Sequence, residues 1–199
     1  MRLFLIRHGL IDSLGVSLPG RTPGVTLNRA GRAQLGPLVA RVARRLAGAR
    51  LDAVIASPLA RAQQTGAAIA RAHGLPVTCE PALLELDFGR WTNRAIADLG
   101  ADADWVPFNS YRSGTPAGGA ELAVAVQARA VAALLARARA TPDATIAAVS
   151  HGDVVRAVLA HVMGVPIDLQ LRLEISPASV SEIELRPWGP RVLALNDVS

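Results

Sequence analysis

Leu3-Phe4-Leu5-Ile6-Arg7-His8-Gly9 is an apolar run that stops abruptly on two cationic side chains and a glycine. A short continuous apolar segment bounded in this way reads as a strand covered on both faces, here Arg2 to Ile6. Three further segments repeat the pattern of a buried or short strand followed by polar residues. Ala53-Val54-Ile55-Ala56 precedes Ser57-Pro58-Leu59-Ala60-Arg61. Pro76 to Cys79 precedes Leu84-Glu85-Leu86-Asp87-Phe88-Gly89. Thr145 to Val149 precedes Ser150-His151-Gly152. Helical spacing fills the intervals: Thr26 to Arg50, Ser57-Pro58 to about His73, Glu121 to Ala140 and Gly152 to Met163. Ser57 is expected to cap the second of these, with Pro58 at its first position and Gly74 closing it. Val180 to Leu185 and Arg191 to Leu195 read as a closing hairpin across Pro187-Trp188-Gly189-Pro190.

Strands alternating with helices imply an α/β fold, a three-layer α/β/α sandwich on a mostly parallel sheet. The expected organisation is one domain over 1–199 with a small cap-like insertion at about 88–118. Phe88 to Tyr111 holds five of the seven aromatics: Phe88, Trp91, Trp105, Phe108 and Tyr111. It reads as a helical excursion with a satellite core of its own, lying as a cap over a site at the sheet's edge.

Ligands in open α/β sheets bind beyond the carboxyl ends of the strands. A parallel sheet therefore gathers Arg7, His8, Arg61, Glu85 and His151 around one point. The set suits phosphoryl transfer, whose transition state spreads negative charge over three equatorial oxygens. Arg7 and Arg61 present planar forks to those oxygens. His8 attacks phosphorus if one ring nitrogen is free and the other is held. His151 donates to a non-bridging oxygen, and Glu85 or Asp87 protonates the leaving oxygen and then activates water. Each residue alone has a bland reading as a surface charge or turn; their joint recurrence after strands carries the assignment. No cofactor and no metal is expected, because the arginines and His151 supply the positive charge.

Composition narrows the alternatives. All 21 basic residues are arginine, which excludes a P-loop and Schiff-base chemistry, since both need a lysine amine. The net charge of +5 is scattered along the chain, so no nucleic-acid footprint is expected. The single cysteine, Cys79, forms no disulfide framework and has Glu85 six residues on, where a cysteine phosphatase needs arginine. Asp102-Ala103-Asp104-Trp105-Val106 matches an aspartate-nucleophile motif formally but follows a helix end. His73 and His161 lack ligand-spaced partners. No apolar run approaches the roughly 20 residues needed to cross a bilayer, and no secretory leader is read at the start. A cytoplasmic protein is expected, of unreadable oligomeric state.

These residues resemble the histidine phosphatase superfamily, also called phosphoglycerate mutase-like. Leu5 to Gly9 matches its opening Leu-Ile-Arg-His-Gly. Ser57 to Thr65 matches Ser-Pro-Leu-x-Arg-x-x-x-Thr, Leu83 to Gly89 matches Leu-x-Glu-x-x-x-Gly, and Val149 to Gly152 matches Val-Ser-His-Gly. Weaker echoes are Gly20-Arg21 before Leu27-x-x-x-Gly31-x-x-Gln34, and Gly119-Ala120-Glu121 with Arg129 eight residues on. The resemblance implies His8 as the phosphorylated nucleophile, Arg7, Arg61 and His151 as the phosphate pocket, and Glu85 as proton donor. Where many members have polar residues, this chain has Leu10, Ile11 and Leu14. Asp12, Ser13 or Arg21 are then expected to supply the missing phosphate contacts, with Ser13, Arg21 and Gly152 as substrate-binding residues. The mutase branch is longer and carries basic residues after the glutamate; Leu86-Asp87-Phe88 stands there, which favours a phosphatase acting on a small-molecule phosphomonoester. A mutase and a catalytically impaired phospho-ligand-binding protein are the alternatives.

Overall fold

The computed structural model describes every residue from Met1 to Ser199. Six strands form one sheet: β1 (Arg2–Arg7), β2 (Ala53–Ala56), β3 (Val77–Cys79), β4 (Thr145–Ser150), β5 (Val180–Arg186) and β6 (Gly189–Asp197). Their order is β3-β2-β4-β1-β5-β6. The first four run parallel, and the closing hairpin adds β5 antiparallel to β1 and β6 antiparallel to β5. The hairpin turn is tighter than expected. Gly189 and Pro190 already belong to β6, which Pro190 tolerates because an edge strand has a face with no ladder partner.

The alternation within β1 builds both layers. Leu3 and Leu5 pack on one face with α6 (Ala123–Ala140) and α7 (Gly152–Met163). Phe4 and Ile6 pack on the other with α2 (Leu35–Leu46) and α3 (Ala60–Ala72). At about 25 cal/mol per Å² of apolar surface, burial of these rows is the main favourable contribution to folding. No helix is long and apolar enough to cross a membrane.

Three local expectations are corrected. The helix read over Thr26 to Arg50 is two pieces, α1 (Arg29–Ala33) and α2, broken at Gln34. Ser57 does not cap α3, which begins after Leu59; its hydroxyl is turned to His151 instead. The insertion holds two short helices, α4 (Ile96–Leu99) and α5 (Trp105–Ser110), but no separate core. Trp91, Leu99 and Phe108 are fully buried and continuous with Leu3, Leu5 and α7. Trp91 stacks edge-on with Trp105 and Phe108, each at 5.3 Å, and donates its indole N–H to Asp102 at 2.8 Å. Asp102 also accepts from Arg90 at 2.9 Å, so it is a structural acceptor.

Candidate active site

Chain connections leave the β1–β4 pair in opposite directions, toward β2 on one side and β5 on the other. This is the switch point at which α/β sheets open a crevice. Arg7 is paired with Ser150 across the two strands, so the next residues, His8 and His151, emerge side by side. Their rings meet edge to face at 5.1 Å. The backbone N–H of Ser57 donates to the Val149 carbonyl, which brings the end of β2 to the same edge.

His8 Nδ1 lies 2.7 Å from the Gly9 carbonyl. A carbonyl only accepts, so Nδ1 carries the proton and Nε2 carries the lone pair. Arg61 Nε donates to that Nε2 at 3.2 Å. Burial, followed by the nearby Arg61 charge, pushes His8 down to about 3, so the ring stays neutral at physiological pH. His151 is also held well below the usual range, by burial first and by His8 and the arginines next. Ser57 Oγ accepts from the Leu59 N–H at 3.4 Å and sits 2.7 Å from His151 Nε2. Ser57 is fully buried and its hydroxyl proton has no other acceptor, so it is directed at Nε2, and the His151 proton is assigned to Nδ1, which is buried without a partner.

Arg61 is 1% exposed and donates Nη2 to the Gly20 carbonyl at 2.7 Å. Arg7 donates Nη1 to the Ile175 carbonyl at 2.6 Å. Arg61 Nη1 and Arg7 Nε are buried donors with no partner. Buried polar groups are ordinarily satisfied, and orphans of one kind at one place mark where an acceptor is received. Gly152 keeps this space open, since a Cβ there would come within 3.3 Å of both the Arg7 and Arg156 guanidiniums. Glu85 makes no ion pair; its Oε1 accepts from the Leu86 N–H at 2.9 Å. Burial, with Asp153 nearby, raises its carboxyl to about 7. One cavity of about 130 Å³ is lined by Arg7, His8, Arg61, Glu85 and Gly152 together with Asp153 and Arg156; His151, fully buried against the His8 ring, is not in its lining.

Arg21 and Ser13 do not line the cavity. Arg21 is bound from behind Glu85. It donates to the Glu85 carbonyl at 2.8 Å and to Glu121 at 2.8 Å. Arg129 donates to the same carbonyl at 3.2 Å and to Glu121 at 3.1 Å, and the Asp87 N–H donates to Glu121 at 3.1 Å. The weak echoes around Arg21, Glu121 and Arg129 thus form one clamp that fixes the Glu85 loop. Ser13 lies in a turn whose carbonyl accepts from Val16 and Ser17. The Leu27-to-Gln34 echo holds the other side. Gln34 Oε1 accepts from the Leu10 N–H at 2.9 Å, and Asn28 N–H donates to the Leu10 carbonyl at 3.0 Å.

Asp153 and Arg156 were not singled out in the sequence. Two charged residues three apart in the apolar helix Gly152 to Met163 were the available signal. Asp153 accepts from Arg112 at 3.0 Å, and Arg112, itself buried, lies 4.2 Å over Phe108. That pair ties the insertion to the start of α7. Of the insertion's aromatics only Phe88 reaches the cavity.

The family model for the histidine phosphatase superfamily (branch 1) matches residues 3–198. The chain belongs to the histidine phosphatase superfamily. Among its relatives, the uncharacterized protein Rv0525 of Mycobacterium tuberculosis is 44% identical over 84 residues, covering 42% of this chain but only 40% of that protein. A probable phosphoglycerate mutase of Proteus mirabilis is 30% identical over 196 residues, covering 94% of this chain and 87% of the relative. The solved mycobacterial glucosyl-3-phosphoglycerate phosphatase, in complex with VO3, superposes with a TM-score of 0.85 at 26% identity, covering 98% of each chain. Superfamily membership accounts for the Arg7-His8-Gly9 opening and for the fold that surrounds it.

Proposed function

We propose that this histidine phosphatase hydrolyses a small-molecule phosphomonoester through a phosphohistidine on His8, without a metal. The observation that carries the reading is the 2.7 Å contact of His8 Nδ1 with the Gly9 carbonyl, which assigns the proton to Nδ1 and the lone pair to Nε2, beside the orphaned donors of Arg61, Arg7 and His151. Nε2 attacks phosphorus as the bond to the leaving oxygen breaks, and the protonated Glu85 carboxyl gives that oxygen its proton. Arg7, Arg61 and His151 hold the three non-bridging oxygens, where positioning and electrostatics supply most of the catalysis. Glu85, now a carboxylate, takes a proton from water, whose oxygen attacks phosphorus and breaks the P–N bond. A Glu85 carboxyl near 7 exchanges its proton easily in both directions at neutral pH. Ser13 and Arg21 contribute through the loops they hold.

The test is turnover of p-nitrophenyl phosphate in excess chelator. Wild-type rates unaffected by chelator, lost in His8→Ala, are expected. Normal turnover by His8→Ala overturns the reading. The mutase alternative predicts an isomerised phosphoester and dependence on a bisphosphorylated primer; release of inorganic phosphate without either rules it out.

A further inference from the structure

The cavity that receives the phosphoryl group has two unlike walls. One is the charged wall of Arg7, Arg61, Arg156, Glu85 and Asp153. The apolar part of the lining is Ile11, Leu14, Leu18, Pro19, Phe88 and Ile96. Ile11 is 5% exposed and Phe88 6%, whereas Leu14 at the mouth is 38% exposed and its neighbour Val16 is 62% exposed. Leu14 marks the open side of the cavity and His8, 4% exposed, its closed end, so a substrate's alcohol portion passes outward across these side chains.

Charge on the charged wall is already matched. Asp153 is engaged by Arg112 at 3.0 Å and by Arg156 at 3.8 Å, so Arg7 and Arg61 are the guanidiniums left for one phosphoryl dianion. Arg156 is not spare, since its Nε donates to the Leu173 carbonyl at 2.9 Å and its Nη1 lies 3.8 Å from Asp153. Ser17 is the only polar side chain that the loop from Ile11 to Gly20 contributes to the cavity lining. A second anionic group on the substrate therefore finds apolar contacts and no partner, and burying it there is unfavourable.

Resting on the phosphatase reading above, we infer that Ile11, Leu14, Phe88 and Ile96 select phosphomonoesters of uncharged, largely apolar alcohols, aryl or alkyl, over phosphorylated carboxylic acids. The same replacements that remove polar contacts after His8 create this wall.

The experiment compares kcat/KM for 2-naphthyl phosphate, 3-phosphoglycerate and phosphoserine, using wild type and Leu14→Arg. Leu14 is 38% exposed, so the variant is expected to retain its fold, which thermal unfolding followed by circular dichroism checks. The expected wild-type preference for the naphthyl ester is at least about tenfold, the discrimination of one or two buried methylenes, and Leu14→Arg narrows it by about the same factor. Equal or better hydrolysis of either carboxylated ester by wild type overturns the inference and leaves the phosphatase reading intact. A naphthyl preference that Leu14→Arg does not change overturns the assignment to this wall. No hydrolysis of any ester, with no phosphate label on His8, overturns the phosphatase reading itself.

Discussion

Replacing Gly31 by alanine sets two effects of opposite sign against each other. Alanine in a helix interior is favoured over glycine by about 1 kcal/mol. Gly31, however, is the buried residue of α1, and a Cβ there would stand 2.1 Å from the Leu10 carbonyl oxygen and 2.8 Å from the Leu10 nitrogen. A carbon and an oxygen approach no closer than about 3 Å, so helix and loop must separate by about 1 Å. The contacting atoms are backbone, and Leu10 is anchored by Gln34 and Asn28. Overpacking of this kind costs about 1–3 kcal/mol, with the upper end fitting an unyielding neighbour. The net loss is then about 1–2 kcal/mol, or a fall in Tm of about 2–8 °C for a chain of this size. His8 lies two residues before Leu10, and a displacement of about 1 Å at a reacting group costs about 100-fold in rate. Thermal unfolding followed by circular dichroism, with p-nitrophenyl phosphate turnover on the same sample, measures both. A Gly31→Ala protein as stable and as active as wild type refutes the argument that glycine is required for α1 to approach the His8 loop.

Glu85 near 7 must be protonated to act as acid, so kcat/KM is expected to fall above about pH 7, and Glu85→Gln to lose that limb along with most turnover of alkyl esters; an unchanged alkaline limb contradicts this. The same shift bears on stability. The folded state holds the Glu85 proton more tightly than the unfolded chain, so this group's contribution declines from about pH 4.5 to 7. Denaturant titrations should show Glu85→Gln gaining relative to wild type across that window. Glu121→Ala frees Arg21 and Arg129 from their shared anchor and is expected to lower kcat about tenfold with KM changing less, since the clamp touches Glu85 and not the phosphate pocket; a change confined to KM argues against it. Trp91→Ala empties a fully buried site that joins insertion and main core and should cost about 3–5 kcal/mol in urea unfolding, whereas a separate satellite core would lose far less.

The parts legible in the sequence were those written in local patterns. β1, β2, β4 and the parallel arrangement follow from apolar runs that stop on polar residues, and the gathering of Arg7, His8, Arg61 and Glu85 at one cavity, with His151 against His8, follows from strand ends sharing one edge. What was missed depended on partners distant in the chain. Ser57 has the sequence signature of a helix cap, but a buried imidazole competes for its hydroxyl. Gln34 interrupts a helical pattern because its side chain is committed to Leu10, 24 residues away. The aromatic spacing of the insertion does not reveal that Trp91 and Phe108 join the main core. Arg21 carries a charge suited to phosphate, yet Glu121, 100 residues on, claims it. Ile11 and Leu14 were visible as departures from the family pattern; their place along the cavity wall appears only when the fold brings Phe88 and Ile96 into the same lining.

The account stands most directly on a covalent phosphate at His8 Nε2. Quenching in alkaline detergent after mixing with a 32P-labelled aryl phosphate, followed by peptide mapping at alkaline pH, detects it. The predicted result is label approaching one phosphate per chain, stable in alkali and lost in acid as a phosphoramidate should be, located on the peptide containing His8 and absent from His8→Ala. Turnover with no label on that peptide, or label that persists in His8→Ala, contradicts it.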